Sequence, residues 1–191
     1  MVVAAVVSHK RKRETEADVD HGGPKQQQED AARDPCVMMT GSRGWSADVG
    51  PLLATMVEND PTLQIASKER RVTLSHGNAQ GADRACAAWA KQQGWKVRAF
   101  QPEWDRYRRM GCVQAAGNEN NQRMLDESRP QFVIGFLKQR SRGTLDALTR
   151  MQEYARERDS PLIQVTIVED DGTGRLVSRT FKKQAFKSAR L

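Results

Sequence analysis

The chain lacks the long apolar runs that membrane insertion requires. A bilayer-spanning helix needs about 18 or more consecutive apolar residues, and no such run exists, which excludes a membrane span. The apolar opening MVVAAVV is followed by charge. A secretory signal places its positive region first, so this order is wrong for export. Cysteine is scarce as well. Cys36, Cys86 and Cys112 are an odd count without paired spacing, which points to a reducing compartment and away from a disulfide scaffold or a zinc site. Hydrophobic content is 38% and mean hydropathy is -0.73. Those values are low for a fully compact chain, so part of the 191 residues is expected to be tail around one domain of ordinary size.

Positive charge is abundant but unevenly placed. The net charge is +7. Residues 1–35 contribute -1, residues 36–171 contribute +2, and residues 172–191 contribute +6. The basic excess is C-terminal, where it either attracts nucleic acid and acidic partners or simply solvates a chain end. Residues 1–35 read as a disordered charged arm. The cluster Lys10–Arg13 fits a nuclear-import signal in a eukaryotic cell, and the chain otherwise reads as cytoplasmic.

From Cys36 onward, strand and helix patterns alternate. CVMMT at 36–40 is a short buried-strand candidate that ends in GSRGW. Ser46 or Asp48 is placed to cap the next helix, whose apolar positions are Leu52, Leu53, Met56 and Val57; NDP at 59–61 stops it. A second strand at 71–75 leads into HGNAQGAD and a helix over Ala82–Gln93, stopped by Gly94. WKVRAF at 95–100 alternates as a third strand. A long polar and aromatic loop follows, then a helix from about Glu119 to Ser128 with Asn118, Asn120 and Asn121 as caps at its start. FVIGFL at 132–137 has the continuous apolarity of a central parallel strand. After KQRSRG comes a helix with Leu145, Leu148, Met151 and Tyr154 on one face. LIQVTIV at 162–168 is a further strand, and RLVSRTF returns after a DDGTG turn as a hairpin partner. Alternation of this kind predicts an α/β fold, a doubly wound and mostly parallel sheet over residues 36–169, followed by a strand and basic tail at 170–191.

In such sheets ligands bind at the C-terminal strand ends. Three polar, glycine-containing loops fall there: GSRGW, HGNAQGAD and KQRSRGT. Gly41 permits close backbone approach, Ser42 can donate to a phosphate oxygen, and Arg43 offers a guanidinium fork unless it pairs with an acid across the sheet edge. Gly77, Asn78 and Gly81 form a glycine turn that either cradles a phosphate or only needs glycine for its dihedrals. Asp83 either satisfies its own helix end or holds a sugar hydroxyl or an arginine. Arg142, Gly143 and Thr144 open a helix whose N-terminal N–H groups suit an anion. Trp104 could stack on a base or cover the sheet edge. Asn121 could cap a helix or bind a ribose or base edge. Glu103 and Asp105, with Asp83, are the candidate acids if a reaction is catalysed. His76 has no metal-like partner spacing.

These residues carry a family likeness. GSRGW, HGNAQGAD with WA at 89–90, PEW, AAG with NNQRML, and RGT, in that order, resemble the DUF2493 or YspA-like family of the SLOG superfamily. Its Rossmann-like relatives include the LOG phosphoribohydrolases and the DNA-processing protein DprA. The likeness spans about 36–165. It implies a small nucleotide or nucleotide-derived ligand, such as NAD or ADP-ribose, held by the glycine-rich loops, and a homodimer. Two departures stand out. Asn120–Asn121 replaces the family's usual Arg-Asn. Ala147 takes the place of the glutamate that the LOG hydrolases use in N-glycosidic cleavage. The resemblance therefore implies binding first, with a nucleotide-processing hydrolase or a single-stranded nucleic-acid binder as the alternatives.

Overall fold

The computed structural model describes residues 33–157, 160–171, 173 and 175–182. The Lys10–Arg13 cluster, most of the N-terminal arm and the basic end beyond Lys182 lie outside them. One six-stranded sheet runs in the order β3-β2-β1-β4-β5-β6. Its strands are β1 (Cys36–Gly41), β2 (Thr73–His76), β3 (Lys96–Ala99), β4 (Phe132–Lys138), β5 (Gln164–Asp170) and β6 (Leu176–Lys182). The first five are parallel, and β6 returns antiparallel to β5, with Thr166 opposite Thr180. The architecture is the doubly wound, mostly parallel α/β sheet that the alternating pattern predicts. The order reverses between β1 and β4, which places the switch point at their C-terminal ends.

The apolar runs of β1, β4 and β5 exist because these strands are covered on both faces. Side chains alternate between two core clusters. Val37 and Met39 of β1 and Phe132, Ile134 and Phe136 of β4 enter one, and Met38 and Val133 enter the other. On the first face lie α1 (Gly50–Glu58), α2 (Pro61–Lys68) and α3 (Ala82–Gln92), which contribute Leu53, Leu63 and Cys86. On the second lie α5 (Val113–Ser128) and α6 (Arg142–Arg156), which contribute Met124, Leu148 and Met151. Gly135 lets α6 pack close on β4, since a Cβ at that position would lie 2.8 Å from a Leu148 methyl, which would have to move. A short helix, α4 (Trp104–Arg109), has no buried residue and packs chiefly on α5.

Several element boundaries differ from the sequence reading. NDP ends α1, but it also starts α2, which the pattern did not reveal. Asp60 is the N-cap of α2 and accepts N–H bonds from Thr62 and Leu63 at 2.9 and 3.1 Å, while Pro61 occupies the first turn. Asp60→Ala should lower stability by about 1 kcal/mol, read as a shift of the urea midpoint with unchanged slope. At α1 the N-cap is Val49 and not Ser46; Asp48 contributes by accepting the Gly50 N–H at 2.9 Å. The stretch after β3 is not a long loop, because α4 and the first turns of α5 occupy it. The asparagines are therefore inside α5 and do not cap its start. Leu145 is 39% exposed and leaves the buried face of α6 to Thr144, Ala147, Leu148, Met151 and Tyr154.

Candidate functional site at the sheet switch point

The loops after β1, β2 and β4 open into one cleft of about 1130 Å³. Its walls are completed by α4, the N-terminal half of α5 and the first turn of α6. Gly41, Ser42, Arg43, Gly77, Asn78, Asp83, Trp104, Asn121, Arg142, Gly143 and Thr144 line it together. Gly81 does not. Glu103 and Asp105 also lie outside the lining, on the exposed side of α4, where they pair with Arg106 and Arg108 one turn away.

The β1 loop is held against the start of α3 by two glycines. Gly81 has φ +74, and a Cβ there would lie 2.4 Å from the Arg43 carbonyl oxygen and 2.7 Å from that of Ser42. A Cβ on Gly41 would lie 2.4 Å from the Ala82 Cβ. Glycine at both positions lets two cleft walls touch through their backbones. Ser42 takes a different role from the one its side chain suggested. Its hydroxyl donates to the Lys138 carbonyl at 3.2 Å and accepts the Lys138 N–H at 2.9 Å, while its own N–H donates to Phe136 O. It latches β1 to β4, and its proton is already engaged. Arg43 remains open. Among the described residues no carboxylate reaches ion-pair distance of Arg43, Arg84 or Arg142, all exposed at the cleft. The Arg43 guanidinium carbon lies 6.0 Å from the Trp104 ring centre, and both residues line the cleft.

The β2 loop is closed by its own side chains. Asn78 adopts φ +57, a left-handed conformation that asparagine tolerates. Its N–H donates to His76 Nδ1 at 3.1 Å, and its side-chain amide donates to Gln101 Oε1 at 3.0 Å. Because Nδ1 accepts, the imidazole proton sits on Nε2. Burial, with a smaller effect from Lys91, also keeps the histidine below its ordinary pKa. The 4.0 Å separation of His76 Nδ1 from Asp83 Oδ2 is thus no ion pair. Asp83 is only 3% exposed and accepts the Ala79 N–H through Oδ2 at 3.2 Å. Burial pushes its carboxyl up to about 7, against the opposing pull of the Ala79, Gly77 and Gly41 N–H groups and the Arg43 charge.

At another wall, Ser141 precedes α6 without a side-chain cap, and Arg142, Gly143 and Thr144 of the first turn line the cleft. Thr144 is 2% exposed and donates to Ser141 Oγ at 3.0 Å, which fixes the turn. Gln139 and Arg140 both have positive φ, so the turn between β4 and α6 is bent by two consecutive non-glycine residues in the left-handed region. Asn121 donates to Asp146 at 3.0 Å and approaches Gly143 O at 3.4 Å. Arg150 donates to the same Asp146 oxygen at 3.0 Å and to Gln122 at 3.1 Å. Asp146 is therefore neutralised within the helix pair. Lys138 is likewise paired, with Asp170 at 3.1 Å. Ala147 is fully buried in the core and brings no group to the cleft.

The first turns of four helices line the cleft, that of α4 through Trp104. The start of α1 is separated from Gly44 by the buried Trp45 and Val49 and does not line the cleft. The starts of α3 and α6 do, and Val113 and Gln114 bring the start of α5. The sequence reading missed Arg84, Gln101 and Gln114. Arg84 was legible as a neighbour of Asp83 in a first turn, whereas Gln101 and Gln114 become neighbours of the cleft only through folding.

Among the described residues no helix is long and apolar enough to cross a membrane. No curated protein matches the chain. DNA processing protein A (DprA) from Streptococcus pneumoniae is similar in structure, at 21% identity and a TM-score of 0.45. The match covers 62% of this chain and 47% of that one, so the chain spans about half of that relative's length. Residues 35–107 match the YspA, cpYpsA-related SLOG family, a stretch that holds β1, the β2 loop, Asp83 and Trp104. That match supports a general role in binding a nucleotide or metabolite. Over this segment the chain is similar to the YspA, cpYpsA-related SLOG family.

Proposed function

We propose that the cleft binds a phosphate-bearing, nucleotide-derived metabolite of the NAD or ADP-ribose kind. One observation carries this reading: three arginines without ion-pair partners among the described residues, Arg43, Arg84 and Arg142, line one cleft at the switch point. An uncapped helix start faces the same space and adds a partial positive charge. The amide side chains of Gln101, Gln114 and Asn118 line the cleft beside Trp104. They supply donors and acceptors for base or sugar edges, and the indole offers a stacking face.

A thermal-shift series with NAD, ADP-ribose, AMP and cyclic nucleotides should find at least one stabilising ligand. No shift with any of them sinks the proposal. With the stabilising ligand in hand, Arg43→Ala and Arg142→Ala should each weaken binding by about 1.5–3 kcal/mol, roughly ten- to a hundredfold in Kd. Titration calorimetry reads this directly, and unchanged affinity in both variants removes these residues from the site. Hydrolysis of the ligand would have to draw on Asp83, because Ala147 is in the core and Asp146 is held by Arg150 and Asn121. Product analysis after prolonged incubation distinguishes an enzyme from a binder. The homodimer implied by the family resemblance belongs to the same proposal, and light scattering tests it.

A further inference from the structure

The β2 loop has the form of an anion cradle, yet it already holds an anion of its own. Asp83 reaches back from the first turn of α3 and takes the Ala79 N–H at 3.2 Å. A Cβ on Gly77 would stand 3.3 Å from the same Oδ2. The carboxyl thus lies where a bound phosphate oxygen would meet the loop. We infer that Asp83 is a built-in occupant of this loop, and that a phosphate-bearing ligand binds there together with one proton taken from solvent onto the Asp83 carboxyl. The inference rests on reading the cleft as a phosphate site and adds the manner in which binding there is regulated.

The argument is electrostatic. Asp83 is nearly without solvent, so a second negative charge brought beside it meets little dielectric screening. The surroundings offer few ways to cancel that repulsion. From β2, His76 presents an Nδ1 that is accepting a bond and carries no proton to share. From the β1 loop, Arg43 is the one charge that favours the carboxylate, and a ligand phosphate would compete for that guanidinium. From α3 itself come Arg84, exposed, and Cys86, whose thiol burial keeps neutral. From β4 and α6 come Lys138 and Asp146, each already paired, and Arg142. Protonation removes the repulsion and turns the carboxyl into a hydrogen-bond donor toward the incoming phosphate oxygen. Because its unliganded carboxyl titrates near neutrality, the required proton is available at little cost. Above that range the same proton must be taken up as the ligand enters, and affinity falls as pH rises.

The test is calorimetric titration of the full chain with ADP-ribose from about pH 6 to about pH 9, in buffers of different ionisation heat. ADP-ribose is chosen because its phosphates are diesters and do not titrate in that window. Expected is uptake of nearly one proton per ligand above about pH 8, with Kd rising about tenfold per pH unit there. Asp83→Asn should bind with neither the uptake nor the pH slope. The proton count is taken on the wild-type chain and does not depend on that variant folding. Binding without uptake, as when an ionised Asp83 accepts a ligand hydroxyl, overturns the inference and leaves the phosphate site standing. Absence of binding at every pH, in wild type and variant alike, overturns both.

Discussion

Gly81→Ala should destabilise the protein by about 3 kcal/mol or more and abolish ligand binding. Two costs add. The residue has φ +74 and ψ -124, a region that L side chains rarely enter, and holding a non-glycine there costs about 1–3 kcal/mol. The new methyl would also stand 2.4 Å from the Arg43 carbonyl oxygen, which is backbone and cannot rotate away. Relief requires the β1 loop to move off the start of α3, and an overpacked contact of this kind costs about 1–3 kcal/mol more. The same movement displaces Arg43 from its place over the Trp104 ring. Urea unfolding measures the first effect and titration with the stabilising ligand the second. Gly143→Ala is the control: nothing lies within 4 Å of its added Cβ, and the position is helical. That variant should be neutral or more stable by up to about 1 kcal/mol. Equal behaviour of the two variants would refute the claim that Gly81 joins two walls of the site.

The second large effect concerns Asp83 and stability in the absence of ligand. Its carboxyl is raised from 3.8 in the unfolded chain to about 7 in the folded one. Below pH 3.8 it is protonated in both states and costs nothing. As pH rises from there toward about 7, the unfolded chain releases the proton while the folded chain keeps it, so stability falls through that window. Above the folded value the loss is complete, and the gap between the two values sets its ceiling at about 4 kcal/mol. Asp83→Asn keeps an acceptor for the Ala79 N–H and removes the charge. It should match the wild type near pH 4 and exceed it by up to about 4 kcal/mol near pH 8. Denaturation across this range decides the point. A stability difference that does not change with pH would show that Asp83 ionises freely in the folded protein. A buried carboxylate kept at such a cost is the kind of compromise that functional sites make and cores do not.

The amino-acid sequence by itself determined the sheet. The continuous apolarity of FVIGFL, and of CVMM before Thr40, is that of strands covered on both faces, while LIQVTIV carries Gln164 and Thr166 within its run. Strands that alternate with helices can close only as a wound α/β layer, and the polar, glycine-bearing loops then fall on one edge. Those are local properties, written residue by residue. The same locality explains the errors. Asp60 and Pro61 end one helix and begin another, and the local signals for the two events overlap. The low apolar content of α4 and of the first turns of α5 hid them, because their packing partners come from each other and from the cleft.

Tertiary structure alone decided what each loop residue is used for. Ser42 spends its hydroxyl on a strand 96 positions away in sequence. Gly81 is glycine because the β1 loop lies on it, and Asn121 spends its amide on α6. HGNAQGAD reads as a loop waiting for a phosphate, whereas the folded chain fills it with its own Asp83. Sequence spacing could place that aspartate in the first turn of a helix. Whether the turn folded back to cover it, and so took away the water that would hold it ionised, depends on the neighbouring strands, and those arrive only when the chain is folded.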